Sequence, residues 1–208
     1  MIALDYITLY HTTNYGDYKI IQNLGYLNND SRLWVRIKFV TTGYEKDIRY
    51  DYIGHDIQDP YYPRIYGVAC MGEINVPRSV YKPDYDRWIS MISRCYNPLD
   101  RDYIRYGGIG VRVSKEWLIF TNYYNDIKYL PGYRFKQQNP YQYHIDKDYL
   151  QQNIHHNEIV YSKDTCVWID KRINTKLANS KIFIDELPYV DKYGNLKMME
   201  MVKVINNK

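Results

Sequence analysis

His144, Asp146 and Asp148 alternate along His144-Ile-Asp-Lys-Asp148, and Asn174 follows in a basic, helix-compatible stretch. In a β-strand, alternate side chains point to one side, so the imidazole and both carboxylates would share a face. Carboxylate oxygens suit a hard divalent ion such as Mg²⁺, with Mn²⁺ as the alternative, and an Asn from a following helix could add one oxygen. An imidazole with a near-neutral pKa could take a proton from water for attack on a phosphodiester. Such a site would join charge neutralisation to activation of the nucleophile. The same alternation also fits a solvent-exposed face, and spacing alone does not separate the two.

Strand-like, helical and mixed stretches must position these residues. Residues 1 to about 82 are β-like: in Arg32-Leu-Trp-Val-Arg-Ile-Lys-Phe-Val40, the residues Leu33, Val35, Ile37 and Phe39 fall on one face and Arg36 and Lys38 on the other. Thr42-Gly-Tyr44 predicts a turn into a second strand, Glu45 to Tyr50. Asp59-Pro-Tyr-Tyr-Pro63 breaks regular structure, and Ile65-Tyr-Gly-Val-Ala69 predicts another short strand. Several short strands with close turns predict a small twisted sheet or barrel module.

From about residue 83 the pattern turns helical. Pro83-Asp84 supplies a start, and Trp88, Met91, Ile92 and Cys95 share a helical face, with Arg87, Ser90 and Arg94 on others. Ser114 is a candidate N-cap for a second helix striped by Trp117, Phe120, Tyr124 and Ile127, closed by Pro131-Gly132. Residues 141 to 180 predict strand, loop, strand and helix. The first strand is Tyr141 to Tyr149 and the second Thr165 to Ile169. His155-His-Asn157 marks a loop tip between them, and Asp170 caps a helix carrying Ile173 and Leu177. The fold class is therefore α+β, with a β-rich module over 1–82, a second domain over 83–180 and an extension over 181–208 that could form a hairpin. Trp88, Trp117 and Trp168 are predicted core residues.

Bulk properties narrow the function classes. The chain has 208 residues, 25% of them charged and 45% hydrophobic, with net charge +4, which fits a globular protein and only weakly suggests a polyanion partner. The 26 tyrosines follow codon bias more readily than binding chemistry. No stretch approaches the roughly 20 apolar residues of a membrane span. The N-terminus lacks a basic segment leading into an apolar run, so the predicted location is intracellular. Cys70, Cys95 and Cys166 are scattered, without a CxxC pair, and read as buried thiols. Tyr106-Gly-Gly-Ile-Gly-Val111 lacks the Lys-Ser/Thr ending of a phosphate loop, so its glycines serve backbone conformation. His11, His55, His155 and His156 read as exposed loop residues.

The runs Trp88-Ile-Ser-Met-Ile-Ser-Arg-Cys-Tyr-Asn97, Tyr106-Gly-Gly-Ile-Gly-Val-Arg-Val113 and Glu116-Trp117 with Phe120 precede Ile145-Asp-Lys-Asp148, Tyr161-Ser-Lys-Asp-Thr-Cys-Val-Trp168 and Ile173-Asn174. In this order, over about residues 66 to 175, they resemble the HNH (ββα-metal) endonucleases of phages and mobile elements, including homing enzymes. The resemblance implies a C-terminal ββα-metal motif, DNA as partner and metal-dependent phosphodiester hydrolysis. It matches Asn174 to the last position of the family motif and Asp146 to the metal-holding acid, with Asp148 as a further ligand. Lys147 stands where the family usually carries the histidine base. His144 or Asp146 would then act as base, or the scaffold binds DNA or a phage-associated partner without cleaving. Lys171, Arg172 and Lys176, with Lys147, are the candidate phosphate contacts.

Overall fold

The computed structural model describes residues 8–12, 14–27, 31–151 and 155–179, without the side chains of His156 and residues 176–179. The proposed hairpin in the 181–208 extension lies outside the described residues. The chain divides into two compact units, Met1–Asn75 and Val76–Lys208, and the architecture is α+β. The division falls before residue 82 because the first long helix begins earlier than Pro83.

The first unit is an open four-stranded antiparallel sheet in the order β1-β2-β3-β4: β1 Leu9–Thr12, β2 Gly16–Tyr26, β3 Leu33–Phe39 and β4 Glu45–Arg49. The period-two reading of β3 holds. Val35, Ile37 and Phe39 are fully buried with Tyr18 and Ile20 of β2. On the other face Arg36 and Lys38 pair across the strands with Asp47 and Glu45, at 2.7 and 2.9 Å. A positive φ of 75° at Gly43 makes the expected turn into β4. Ile65 to Ala69 is not a strand. It is a tight turn closed by a single Ile65–Ala69 bridge, with Tyr66 and Gly67 both at positive φ, which extended backbone does not allow.

The second unit opens with α1 (Arg78–Tyr96), which contains Pro83 instead of starting at it. Proline this near a helix start removes one intrahelical bond just beyond a first turn whose amides have no intrahelical acceptor anyway. Trp88, Met91, Ile92 and Cys95 are buried as the stripe predicts. β5 (Arg112–Val113) follows, and then Ser114 starts a tight turn by accepting the Trp117 amide at 3.3 Å. The second helix, α2 (Phe120–Asp126), begins only after that turn, and Tyr123 takes the buried place expected of Tyr124. Trp88 packs on Phe120 with ring centres 5.3 Å apart, and its indole N–H donates to the Trp117 carbonyl at 2.7 Å. A buried indole with its donor satisfied keeps the full benefit of its apolar area.

A short helix, α3 (Tyr133–Gln138), follows the Pro131-Gly132 break, then β6 (Tyr143–Asp146), β7 (Val160–Tyr161), β8 (Val167–Asp170) and α4 (Lys171–Asn179). β6 and β8 form an antiparallel pair in the register His144–Ile169 and Asp146–Val167, while β7 lies parallel to β5. All three cysteines are free and buried. Among the described residues, no helix is long and apolar enough to cross a membrane.

Candidate functional site

β6 is short because its last residue turns the chain. Asp146 is 5% exposed, and its Oδ1 accepts the amides of Asp148 at 3.1 Å and Tyr149 at 2.7 Å. This side-chain turn competes with the sheet ladder, so the strand stops four residues after it starts instead of running to Tyr149. Gln151, also buried, holds the loop that follows. Its side-chain amide donates to the carbonyls of Lys147 and Val160, at 2.7 and 2.9 Å, and accepts the Val160 amide at 3.0 Å. The polar turn beyond β6 is thereby tied to β7.

β8 is fixed from behind. Trp168 is fully buried, and its indole N–H reaches the Ile127 carbonyl at 2.8 Å. The Trp168 amide donates to the Pro131 carbonyl at 2.8 Å. Gly132 sits so close that a Cβ there would lie 2.2 Å from the Trp168 carbonyl oxygen, and its φ is +85°. Asp170 ends the strand and caps α4: its Oδ1 accepts the Arg172 amide at 2.8 Å, and Gln142 donates to Oδ2 at 2.6 Å. Burial pushes the Asp170 carboxyl up, but the Arg172 guanidinium, this amide and Gln142 outweigh it and hold the group below the usual range. α4 packs on both β6 and β8. Capping and packing together present Asn174 and Thr175 toward β6.

His144, Asp146, Asp148 and Asn174 line a single cavity of about 660 Å³ in the second unit. The alternation argument expected all three β6 residues on one face of a strand. Asp148 arrives there by the turn instead, since β6 ends at Asp146. α1 forms another part of the lining through Arg87, Ser90 and Arg94, with Tyr106 and Tyr161 also present. Positions 87, 90 and 94 fall on one helical stripe, beside the buried one. Charge on that stripe was legible in the sequence; its meeting with β6 was not.

Electrostatics distinguish the groups. Burial, reinforced by the nearby Asp148 charge, pushes the Asp146 carboxyl up to about 6, against the two amides that favour its ionised form. His144 is exposed, yet partial desolvation and then the positive charges of Lys171, Arg87 and Arg94 hold its pKa below the usual value. Lys147 is 7% exposed, and its Nζ donates to both Asp148 oxygens at 2.7 Å. The same ammonium lies 4.9 Å from the Tyr106 ring centre and 5.8 Å from that of Tyr161. Enclosed in this way, it neutralises Asp148 and is not displayed to a phosphate, the role expected of it. Lys171 and Arg172 are exposed at the start of α4, with Arg172 bound to Asp170 at 3.2 Å. The Lys176 side chain lies outside the described residues.

Among the described residues, no group of three or more His, Cys, Asp or Glu side chains is arranged to hold a metal. His155 is exposed and stands apart from the cavity lining, as a loop residue does, whereas exposed His11 lies in strand β1 instead of a loop and pairs with Asp17 at 2.7 Å. Around Tyr106, Gly107 abuts α1 so closely that a Cβ would meet the Cys95 carbonyl oxygen at 2.2 Å, so this glycine serves packing. No family model, curated protein or solved structure matches the chain.

Proposed function

We propose that the second unit is an HNH-like, metal-dependent nuclease domain that hydrolyses phosphodiester bonds in DNA. One observation carries the reading: His144, Asp146 and Asn174, drawn from β6 and α4, line one cavity with the arginines of α1. The antiparallel β6–β8 pair followed by α4 is compatible with the strand-strand-helix order that the resemblance implies. The order of motifs along the chain, of which Arg94, Tyr106, Asp146, Asp148, Tyr161 and Asn174 reach the cavity lining, supports the same reading.

The donor set is lean but suits Mg²⁺, which commonly takes one or two protein carboxylates and leaves its other positions to water and substrate phosphate. Asp146 and the Asn174 side-chain oxygen would hold it, since Asp148 is engaged by Lys147. The ion would supply Lewis-acid stabilisation of charge developing on phosphate oxygens. A buried carboxylate with a raised pKa is the kind of group that a bound cation relieves. Desolvation and the nearby positive charges favour the neutral imidazole of His144, whose ring nitrogen could accept a proton from water. Lys171 and Arg172, exposed at the start of α4, would orient the nucleic-acid backbone. In this arrangement Lys147 competes with the ion for the Asp148 carboxylate.

That same contact favours a second reading, DNA binding without hydrolysis, because a candidate ligand is neutralised within the protein. Incubation of supercoiled plasmid with the protein and Mg²⁺ or Mn²⁺ separates them. The nuclease reading expects nicking that falls at least about a hundredfold in Asp146→Ala and His144→Ala, the usual scale for general acid-base and charge-stabilising groups. Absence of nicking with either metal on supercoiled, linear and single-stranded DNA would remove it. A mobility shift with a steep salt slope would then leave binding alone.

A further inference from the structure

Arg94 is the charge in the cavity wall that the protein leaves unanswered. It projects from the cavity-facing stripe of α1, and its guanidinium lies over the Tyr106 ring, 4.7 Å from the centre. Its Nε is buried and has no hydrogen-bond partner, and among the described residues Arg94 makes no ion pair. Two neighbouring cations are engaged. Arg87 donates to Asp84 at 3.0 Å and to the carbonyls of Pro83 and Pro140, at 3.1 and 3.2 Å. Lys147 is held by Asp148. The cavity's acid Asp86 is bound by Lys82 at 2.5 Å, and Asp146 forms no ion pair with Arg94.

Leaving a buried N–H donor without an acceptor is costly, and a half-buried positive charge without a counterion adds to that cost. α1 could relieve both with a neutral residue at position 94. The Tyr106 ring instead holds the guanidinium by a cation–π contact, and the guanidinium's rigid fork suits an anion presenting two oxygens. Ser90, one helical turn earlier, adds a hydroxyl to the same wall. The cavity volume is within the range that accepts a nucleotide-sized group. Within one enclosure, then, Arg94 lacks an anion and Asp146 lacks a cation. A phosphoryl group accompanied by a divalent ion meets both needs at once, whereas a carboxylate ligand would bring no such ion.

We propose that Arg94, held over the Tyr106 ring, forms an oxyanion subsite that receives a phosphoryl group in the cavity of the candidate site. Identification of that group as a nucleic-acid phosphodiester rests on the nuclease reading; the alternative source is free phosphate. The test follows the arginine Nε–H resonances of ¹⁵N-arginine protein. Arg94 is assigned by its loss in Arg94→Lys and, should that variant not fold, by nuclear Overhauser contacts to the Tyr106 ring. Inorganic phosphate and a short DNA oligonucleotide are titrated separately, each with and without Mg²⁺.

The expected result is a saturable downfield movement of the Arg94 resonance. For the backbone source, the oligonucleotide acts at about a hundredfold lower concentration than phosphate; for free phosphate, the order reverses. In anisotropy assays, Arg94→Met should weaken oligonucleotide binding about tenfold and reduce the salt slope by about one. An Arg94 resonance unmoved by either probe overturns the subsite, as does a folded Arg94→Met with wild-type affinity for whichever probe moved the resonance. Where that probe is the oligonucleotide, the nucleic-acid reading then stands alone. Movement with phosphate but no oligonucleotide binding or nicking keeps the subsite and removes the nuclease reading.

Discussion

Replacing Asp146 by Asn should stabilise the protein at alkaline pH, and the size of the gain follows from the site. The carboxyl is 5% exposed and pushed up to about 6 from 3.8. A pKa raised on folding means that the native state prefers the neutral acid. Its stabilising contribution is therefore complete below about pH 3.8 and is lost as pH rises through about 6. At 1.36 kcal/mol per pKa unit, the wild type has given up about 3 kcal/mol by pH 8 and about half of that by pH 5. Asn keeps an oxygen for the Asp148 and Tyr149 amides and does not titrate, so it carries the turn without this loss. Urea titrations of both proteins at pH 5 and 8, followed by tryptophan fluorescence, read the difference directly. The variant should gain about 3 kcal/mol at pH 8, or roughly 10 °C in Tm for a unit of this size. Millimolar Mg²⁺ should narrow the gap by stabilising only the wild type. An equal gain at pH 5 and 8, or no gain at pH 8, would refute the account of a strained buried carboxylate.

Two further outcomes test the geometry. In an NMR titration His144 should titrate below the usual histidine value, losing stability as pH falls through its folded pKa, and Lys171→Ala should raise its midpoint by removing one of the responsible cations. No change in the variant would show that Lys171 does not act on the imidazole. Gly132→Ala should cost about 3 kcal/mol in a urea melt, from left-handed backbone strain plus a Cβ 2.2 Å from the Trp168 carbonyl oxygen. A loss below about 1 kcal/mol would mean that β8 can shift away and is not pinned by this loop.

Much of the local structure was legible along the chain because it depends on spacing and residue type. Alternation in Leu33–Phe39 determined which face of β3 is buried, and the Trp88–Cys95 stripe did the same for α1, since apolar area leaves water on whichever side carries it. Asp170 as the cap of α4 follows from the same local chemistry. The elements that departed from expectation are those where a side chain or a turn overrode the pattern. Asp146 captured two amides and ended β6 early, and Tyr66 and Gly67 folded a would-be strand into a turn. The candidate site itself is a tertiary product. The residues of β6 could be named from sequence, but enclosure of Lys147, elevation of the Asp146 pKa and delivery of Arg94 from α1 all require segments dozens of residues apart to meet. Burial and electric field are properties of the assembled surroundings, so no spacing along the chain encodes them.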